Sequence, residues 1–180
     1  MPVAILLVCV APLIAAYLVY GLWPPERRMN YGELIHPLPL PMAKLSRLDG
    51  RSFELAELKG HWILVQIDEA RCAKACEKKL HYMRQIRLTQ GREMSRVERL
   101  WLVTDGAPVA HSLIAGYEGT HVVRVRQSGF LAHFPAERDV REHIYLIDPL
   151  GNLMLRFPRD TDPSRMKKDL ERLLKVSRVG

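Results

Sequence analysis

Residues His61 to Met83 read HWILVQIDEARCAKACEKKLHYM. The first eight, His61 to Asp68, form a nearly continuous apolar run, the pattern of a strand covered on both faces. A three-residue link, Glu69-Ala70-Arg71, leads to Cys72, and Cys76 follows four positions later. From about Ala73 to Gln90 the spacing predicts a helix, with Cys76, Leu80, Met83 and Arg87 near one face and Gly91 as its stop. A buried strand running directly into a helix, with a cysteine pair at the junction, is the unit from which the rest of the chain is read.

Outward from this unit the pattern stays alternating. VERLWLVTD, residues 97–105, predicts a second buried strand, PVAHSLIAGY a helix, THVVRVR a strand and SGFLAHFPAERDVRE a loop. HIYLIDPLGNLMLRFP predicts two strands joined through DPLGN, and DPSRMKKDLERLLKV a closing amphipathic helix. That helix starts near Asp162 or Ser164 and turns Met166, Leu170, Leu173 and Leu174 inward. Upstream, LSRLDGRSFELAELKG carries Asp49-Gly50 between two short apolar stretches, a hairpin signal. The order is that of an α/β fold with a mixed central sheet, and it suits a thioredoxin-like sandwich.

The setting of the cysteines favours thiolate chemistry. Cys72 falls at or just before the first helical turn, where free N–H groups and the helix dipole stabilise an anion, and Arg71, Lys74, Lys78 and Lys79 act in the same sense. Side chains four apart within a helix have Cβ atoms about 5–6 Å apart, whereas a disulfide needs about 3.5–4.5 Å. A relaxed Cys72–Cys76 disulfide therefore requires Cys72 to stand outside the regular helix. In the open form the two sulfurs suit a soft cation such as Cu(I) or Zn(II). The alternative is that both are small buried residues lining the core. Asp68, Glu69 and Asp105 lie at strand ends, where they either tune the thiols or solvate and cap the elements. The chain has no phosphate loop, no Ser-His-Asp arrangement and no zinc-spaced Cys/His cluster, so nothing supports a hydrolase or a nucleotide-binding protein.

Residues 1–22 contain no charged side chain, long enough for a membrane helix, which needs about 20 apolar residues. Tyr17, Tyr20 and Trp23 suit its interface, and no cleavage site is evident, so the stretch reads as an uncleaved transmembrane anchor. Residues 23–41 hold five prolines and read as an extended linker; residues 42–180 form one domain. Arg27 and Arg28 would favour a cytoplasmic position for the side that follows the span, but Glu26 adjoins them. The expected location is the inner membrane, single-pass, with the domain on the periplasmic side. The net charge of +7 is spread over basic residues interleaved with acids, as on solvated helix faces near an anionic membrane, and no nucleic-acid motif accompanies it.

The anchor, DGRSFELAELKGHWILVQID, CAKAC, LHYMRQI, LWLVTD and above all IYLIDPLGNLMLRF together resemble the Sco family, membrane-anchored copper-binding proteins that assist cytochrome c oxidase assembly. The resemblance implies a thioredoxin-like fold, copper held by Cys72 and Cys76, and a histidine as third ligand. The family's usual prolines after each cysteine are replaced here by Ala73 and Glu77. Its histidine, five residues before the tyrosine of the YLIDP-like strand, is replaced by Val140; His143 is the nearest substitute and His133 a second. The expected ligands are accordingly Cys72, Cys76 and His143, and the implied partners are an oxidase subunit or another assembly factor. Two alternatives remain: a general thiol-disulfide oxidoreductase without metal, and a non-catalytic scaffold that has lost the site. Oxidoreductases of the thioredoxin type separate their cysteines by two residues, and peroxiredoxins place Thr and Pro before theirs; QIDEARC fits neither.

Overall fold

The computed structural model describes residues 10–18, 30–41, 43, 45–125 and 128–177. Eight strands form one mixed sheet: β1 (Glu33–Pro39), β2 (Leu45–Arg47), β3 (Ser52–Phe53), β4 (Trp62–Asp68), β5 (Val97–Val103), β6 (Thr120–Val125), β7 (Ile144–Ile147) and β8 (Asn152–Arg156), in the spatial order β1-β8-β7-β4-β5-β6-β2-β3. The helices are α1 (residues 10–18), α2 (Lys74–Leu88), α3 (His111–Gly116), α4 (Ser128–Leu131) and α5 (Pro163–Val176). β4, β5 and β6 run parallel, β7 lies antiparallel beside β4, and β8 antiparallel beside β7.

The apolar runs predicted as strands lie at the centre because they are covered on both sides. Along β4, Trp62 and Leu64 join the core layer under α2 and α5, whereas Ile63, Val65 and Ile67 join the layer on the opposite face. The first layer is closed by Leu80, Met83 and Ile86 of α2 and by Met166, Leu170 and Leu174 of α5. The second is closed by Phe53, Phe130 and Phe134. At the expected hairpins, Gly50 (φ 86°) and Gly151 (φ 95°) take the left-handed conformation that the turns require. Asp162 caps α5 by accepting from the Ser164 N–H at 2.8 Å, with Pro163 in the first turn.

Two expectations are corrected. The stretch read as linker enters the sheet at Glu33, where β1 pairs antiparallel with β8. Pro37 and Pro39 are compatible with this because β1 is an edge strand, where a missing N–H leaves no ladder bond unmade. The entry is fixed by Asp169, 2% exposed, which accepts the N–H groups of Tyr31 at 2.7 Å and Gly32 at 2.8 Å. A side chain on Gly32 would collide with Leu155. The stretch read as a loop, SGFLAHFPAERDVRE, contains α4 and a 3₁₀ turn at Val140–Glu142. Its aromatic residues stack edge-on, Phe130 on Phe134 and Phe134 on Tyr145, covering the second face.

Among the described residues no helix is long and apolar enough to cross a membrane. Most of the anchor expected over 1–22, and the linker before Asn30, lie outside the described residues.

Candidate functional site

Cys72 and Cys76 are joined as a disulfide, with Cα atoms 5.1 Å apart. As the helical geometry requires, Cys72 stands outside α2: the N-cap is Ala73, and Cys72 has φ 41°, making it the non-glycine residue with positive φ among those described. A left-handed conformation costs a residue with a Cβ about 1–2 kcal/mol, so the surrounding contacts must hold it. They are specific. The Cys72 N–H donates to the Glu69 carbonyl at 3.1 Å, the Ala70 N–H to Asp105 Oδ1 at 3.1 Å, and the Thr104 N–H to the Asp68 carbonyl at 3.1 Å. Glu69 pairs with Arg141, and Asp68 with Lys79 at 3.0 Å. Asp68, Glu69 and Asp105 thus all brace the link that carries Cys72.

The two sulfurs are not equivalent. Cys72 is 9% exposed and Cys76 1%, so a partner reaches Cys72 first. Behind Cys76 lies Gln66, fully buried, whose Nε2 donates to Cys76 Sγ at 3.4 Å while its Oε1 has no partner. Gln66 was not singled out in the sequence. The signal was present: the even positions of β4 face α2, so the one polar residue in WILVQI had to project into the helical layer beside Cys76.

Lys79 ties the helix to the loop before β7. Its ammonium donates to the Ile67 carbonyl at 3.2 Å and to the Arg141 carbonyl, besides pairing with Asp68. Burial pushes its pKa down, and the Asp68 carboxylate opposes the shift. Arg141 also binds Asp139, whose carboxyl lies below its usual range chiefly because of that side-chain hydrogen bond. A cleft of 380 Å³ opens on this flank of α2, between Lys78, Tyr82, Arg141 and Arg159.

His143 is not brought to the pair. Ile144 and Leu146 face α2, so His143 and Tyr145 share the opposite parity, and the two rings meet edge-on at 5.9 Å. His143 Nδ1 lies 2.9 Å from the Phe157 carbonyl oxygen, and its ring lines a separate 380 Å³ cavity with Tyr31, Glu33 and Arg156. No bulge at the start of β7 rescues the offset; the irregularity with β8 lies between Leu146 and Ile147. His133 contacts the carbonyls of Gly129 and Phe130, at the end of α4. Val140, in the place of the family's histidine, packs against the second core layer. Among the described residues no three His, Cys, Asp or Glu side chains gather as a metal site. The dithiol form would offer two thiolates, a donor set that fits Cu(I), without a third protein ligand.

Residues 62–177 match the family described as "Transmembrane-like, thioredoxin-like, C-terminal domain". The chain belongs to this family. No curated protein matches it in sequence. Among solved structures it is similar to yeast Sco1 with copper bound, at 14% identity over 79% of this chain and 96% of that one, with a TM-score of 0.67. It is also similar to the thioredoxin domain of a thiol-disulfide oxidoreductase from Bacteroides vulgatus, at 18% identity over 79% and 99% of the two chains, TM-score 0.60. A third is Arabidopsis thaliana ScoI with copper bound, at 12% identity over 76% and 98%, TM-score 0.60. At these identities the likeness shows the fold: the Sco resemblance read from the sequence holds as a divergent thioredoxin-like structure.

Proposed function

We propose that this protein is a membrane-anchored thiol-disulfide exchange protein of the Sco type that assists assembly of the copper site of cytochrome c oxidase. The observation that carries the reading is the closed Cys72–Cys76 pair, with Cys72 the more exposed of the two, Cys76 buried against Gln66, and the link between strand and helix braced by three carboxylates. In the reduced protein the Cys72 thiolate attacks a partner's disulfide and forms a mixed disulfide. Cys76 then attacks Cys72 Sγ, closing the internal disulfide and releasing the partner as two thiols. Two electrons pass to the partner, and a dithiol reductant must restore the pair. The natural substrate of such a step is an oxidised pair of copper-ligand cysteines, which bind metal only when reduced.

Copper binding by Cys72 and Cys76 is a second reading, supported by the copper-bound Sco structures of the same fold. The proposed setting is the inner membrane, with an anchor at 1–22 and the domain on the periplasmic side; the uncharged N-terminal stretch supports the anchor. In the test, reduced Cys76→Ser protein is mixed with an oxidised copper-binding domain of the oxidase. A mixed disulfide through Cys72 is expected, resolved in the wild type with one internal disulfide formed per partner disulfide reduced. If no mixed disulfide forms while Cu(I) binds two thiolates tightly, the copper reading replaces this one.

A further inference from the structure

A second site lies on the far half of α2. Val97, Trp101 and Val103 of β5 face the core layer under α2, and the alternation places Arg99 in the same layer. Arg99 is 3% exposed. Its Nη2 donates to the Glu118 carbonyl at 2.6 Å, while Nε and Nη1 are buried without an acceptor. A guanidinium is expensive to bury unless its charge and N–H groups are matched. The charges that act on it here are mostly of its own sign: desolvation first, then Arg87 and Arg84, lower its pKa to about 10, and only Glu98 opposes them. Glu98 is itself engaged by His121 at 3.2 Å.

These three arginines line one cavity of 290 Å³, closed on the other side by Gly116, Glu118 and Gly119. The absence of side chains at Gly116 and Gly119 keeps the space open, and Gly119, at φ 78°, would place a Cβ 3.1 Å from Arg99 Nη2. The Glu118 side chain is exposed and makes no ion pair among the described residues; Arg87 Nε donates to the Val97 carbonyl at 2.6 Å, and Glu98, the acid whose charge acts on both Arg87 and Arg99, is shared with His121. We propose that this cavity is a binding site for a phosphate-class oxyanion, held by Arg84, Arg87 and the buried Arg99. Guanidinium groups match the paired oxygens of phosphate, and an anion here supplies counter-charge that the fold does not, with Arg99 Nε and Nη1, closed to solvent, acting on it through their charge. The site goes beyond the dithiol reading and is independent of it: Arg84 lies eight residues along α2 from Cys76, about 12 Å at 1.5 Å per residue.

The test uses the full chain in detergent, with inorganic phosphate as probe. Phosphate binding is followed by calorimetry and by thermal unfolding, against sodium chloride at matched ionic strength. The expected result is saturable binding of one phosphate and a rise in Tm beyond that in chloride. Arg84→Gln, a change at the cavity rim, should weaken binding at least tenfold. Arg99→Met should abolish the response while unfolding no earlier than wild type in chloride, because it removes an unmatched buried charge. Lys175→Gln, a charge change on the exposed face of α5, should leave binding unaltered. A phosphomonoester such as glycerol phosphate, run in parallel, tells free phosphate from a phosphorylated ligand by which binds more tightly. If phosphate and chloride act alike, or if Arg84→Gln binds as the wild type does, the site is refuted.

Discussion

The contact between Gln66 and Cys76 gives a signed prediction for the redox equilibrium. In the disulfide form Gln66 Oε1 is buried without a partner, and its Nε2 meets a sulfur that is only a weak acceptor. Reduction changes both: a Cys76 thiol can donate to Oε1, and a thiolate is a strong acceptor for Nε2. Replacing Gln66 with Met, unbranched and of similar length, removes the orphan oxygen from the oxidised form and the new hydrogen bond from the reduced one. An unsatisfied buried acceptor costs about 1–3 kcal/mol, and a hydrogen bond to a neutral or charged partner contributes about 1–3 kcal/mol. Both changes favour the disulfide, and with partial relaxation the net is about 1–3 kcal/mol. For a two-electron couple about 30 mV corresponds to 1.4 kcal/mol, so the potential of Gln66→Met should fall by roughly 20–60 mV. Equilibration in glutathione buffers followed by thiol alkylation and mass measurement reads this directly. Oxidised Gln66→Met should also be at least as stable to urea as wild type. An unchanged or raised potential would refute the role given to Gln66.

Other perturbations test the scaffold. Asp169→Asn weakens the hydrogen bonds from Tyr31 and Gly32, the second of them buried, and should cost about 1.5–3 kcal/mol, with faster amide exchange in β1. Met83→Ala, at a fully buried position between α2 and the sheet, should cost about 2–5 kcal/mol in urea unfolding. Asp139, held below its usual range by Arg141, adds stability that is complete above the unfolded aspartate value, about 3.9, and is lost as pH falls through the lower folded value. Asp139→Asn should therefore be less stable than wild type at neutral pH, with the difference vanishing in acid; a pH-independent difference would show that the carboxylate charge is not the cause. Val140→His should leave Cu(I) binding by the reduced pair unchanged in chelator competition, because position 140 packs against the second core layer while Cys72 and Cys76 belong to the first.

Much of the fold was legible because burial on two faces leaves a plain record. WILVQID and VERLWLV read as central strands, and Asp49-Gly50 and DPLGN marked the β2–β3 and β7–β8 turns. The exclusion of Cys72 from the helix followed from the distance that a disulfide can span. What was hidden was hidden by context. The prolines of β1 argue against a strand unless one knows that it lies at an edge, and Asp169, which fixes that edge, is 137 residues from Gly32. The copper triad could not be completed because strand parity turns His143 away, and parity is set by where β7 begins. Gln66 and Arg99 were readable only once their strands had been assigned faces, since a polar residue in an apolar run gains meaning from what packs over it.

The central claim is that Cys72 and Cys76 form a working redox pair rather than a permanent cross-link. The most direct test is a redox titration of the full chain carrying Cys9→Ser, with free thiols counted by mass after alkylation. The account predicts that two thiols appear together in one two-electron step at a potential above about −300 mV, outside the range of most structural disulfides. A disulfide that stays closed below that potential, or two cysteines that are never found joined, would contradict it.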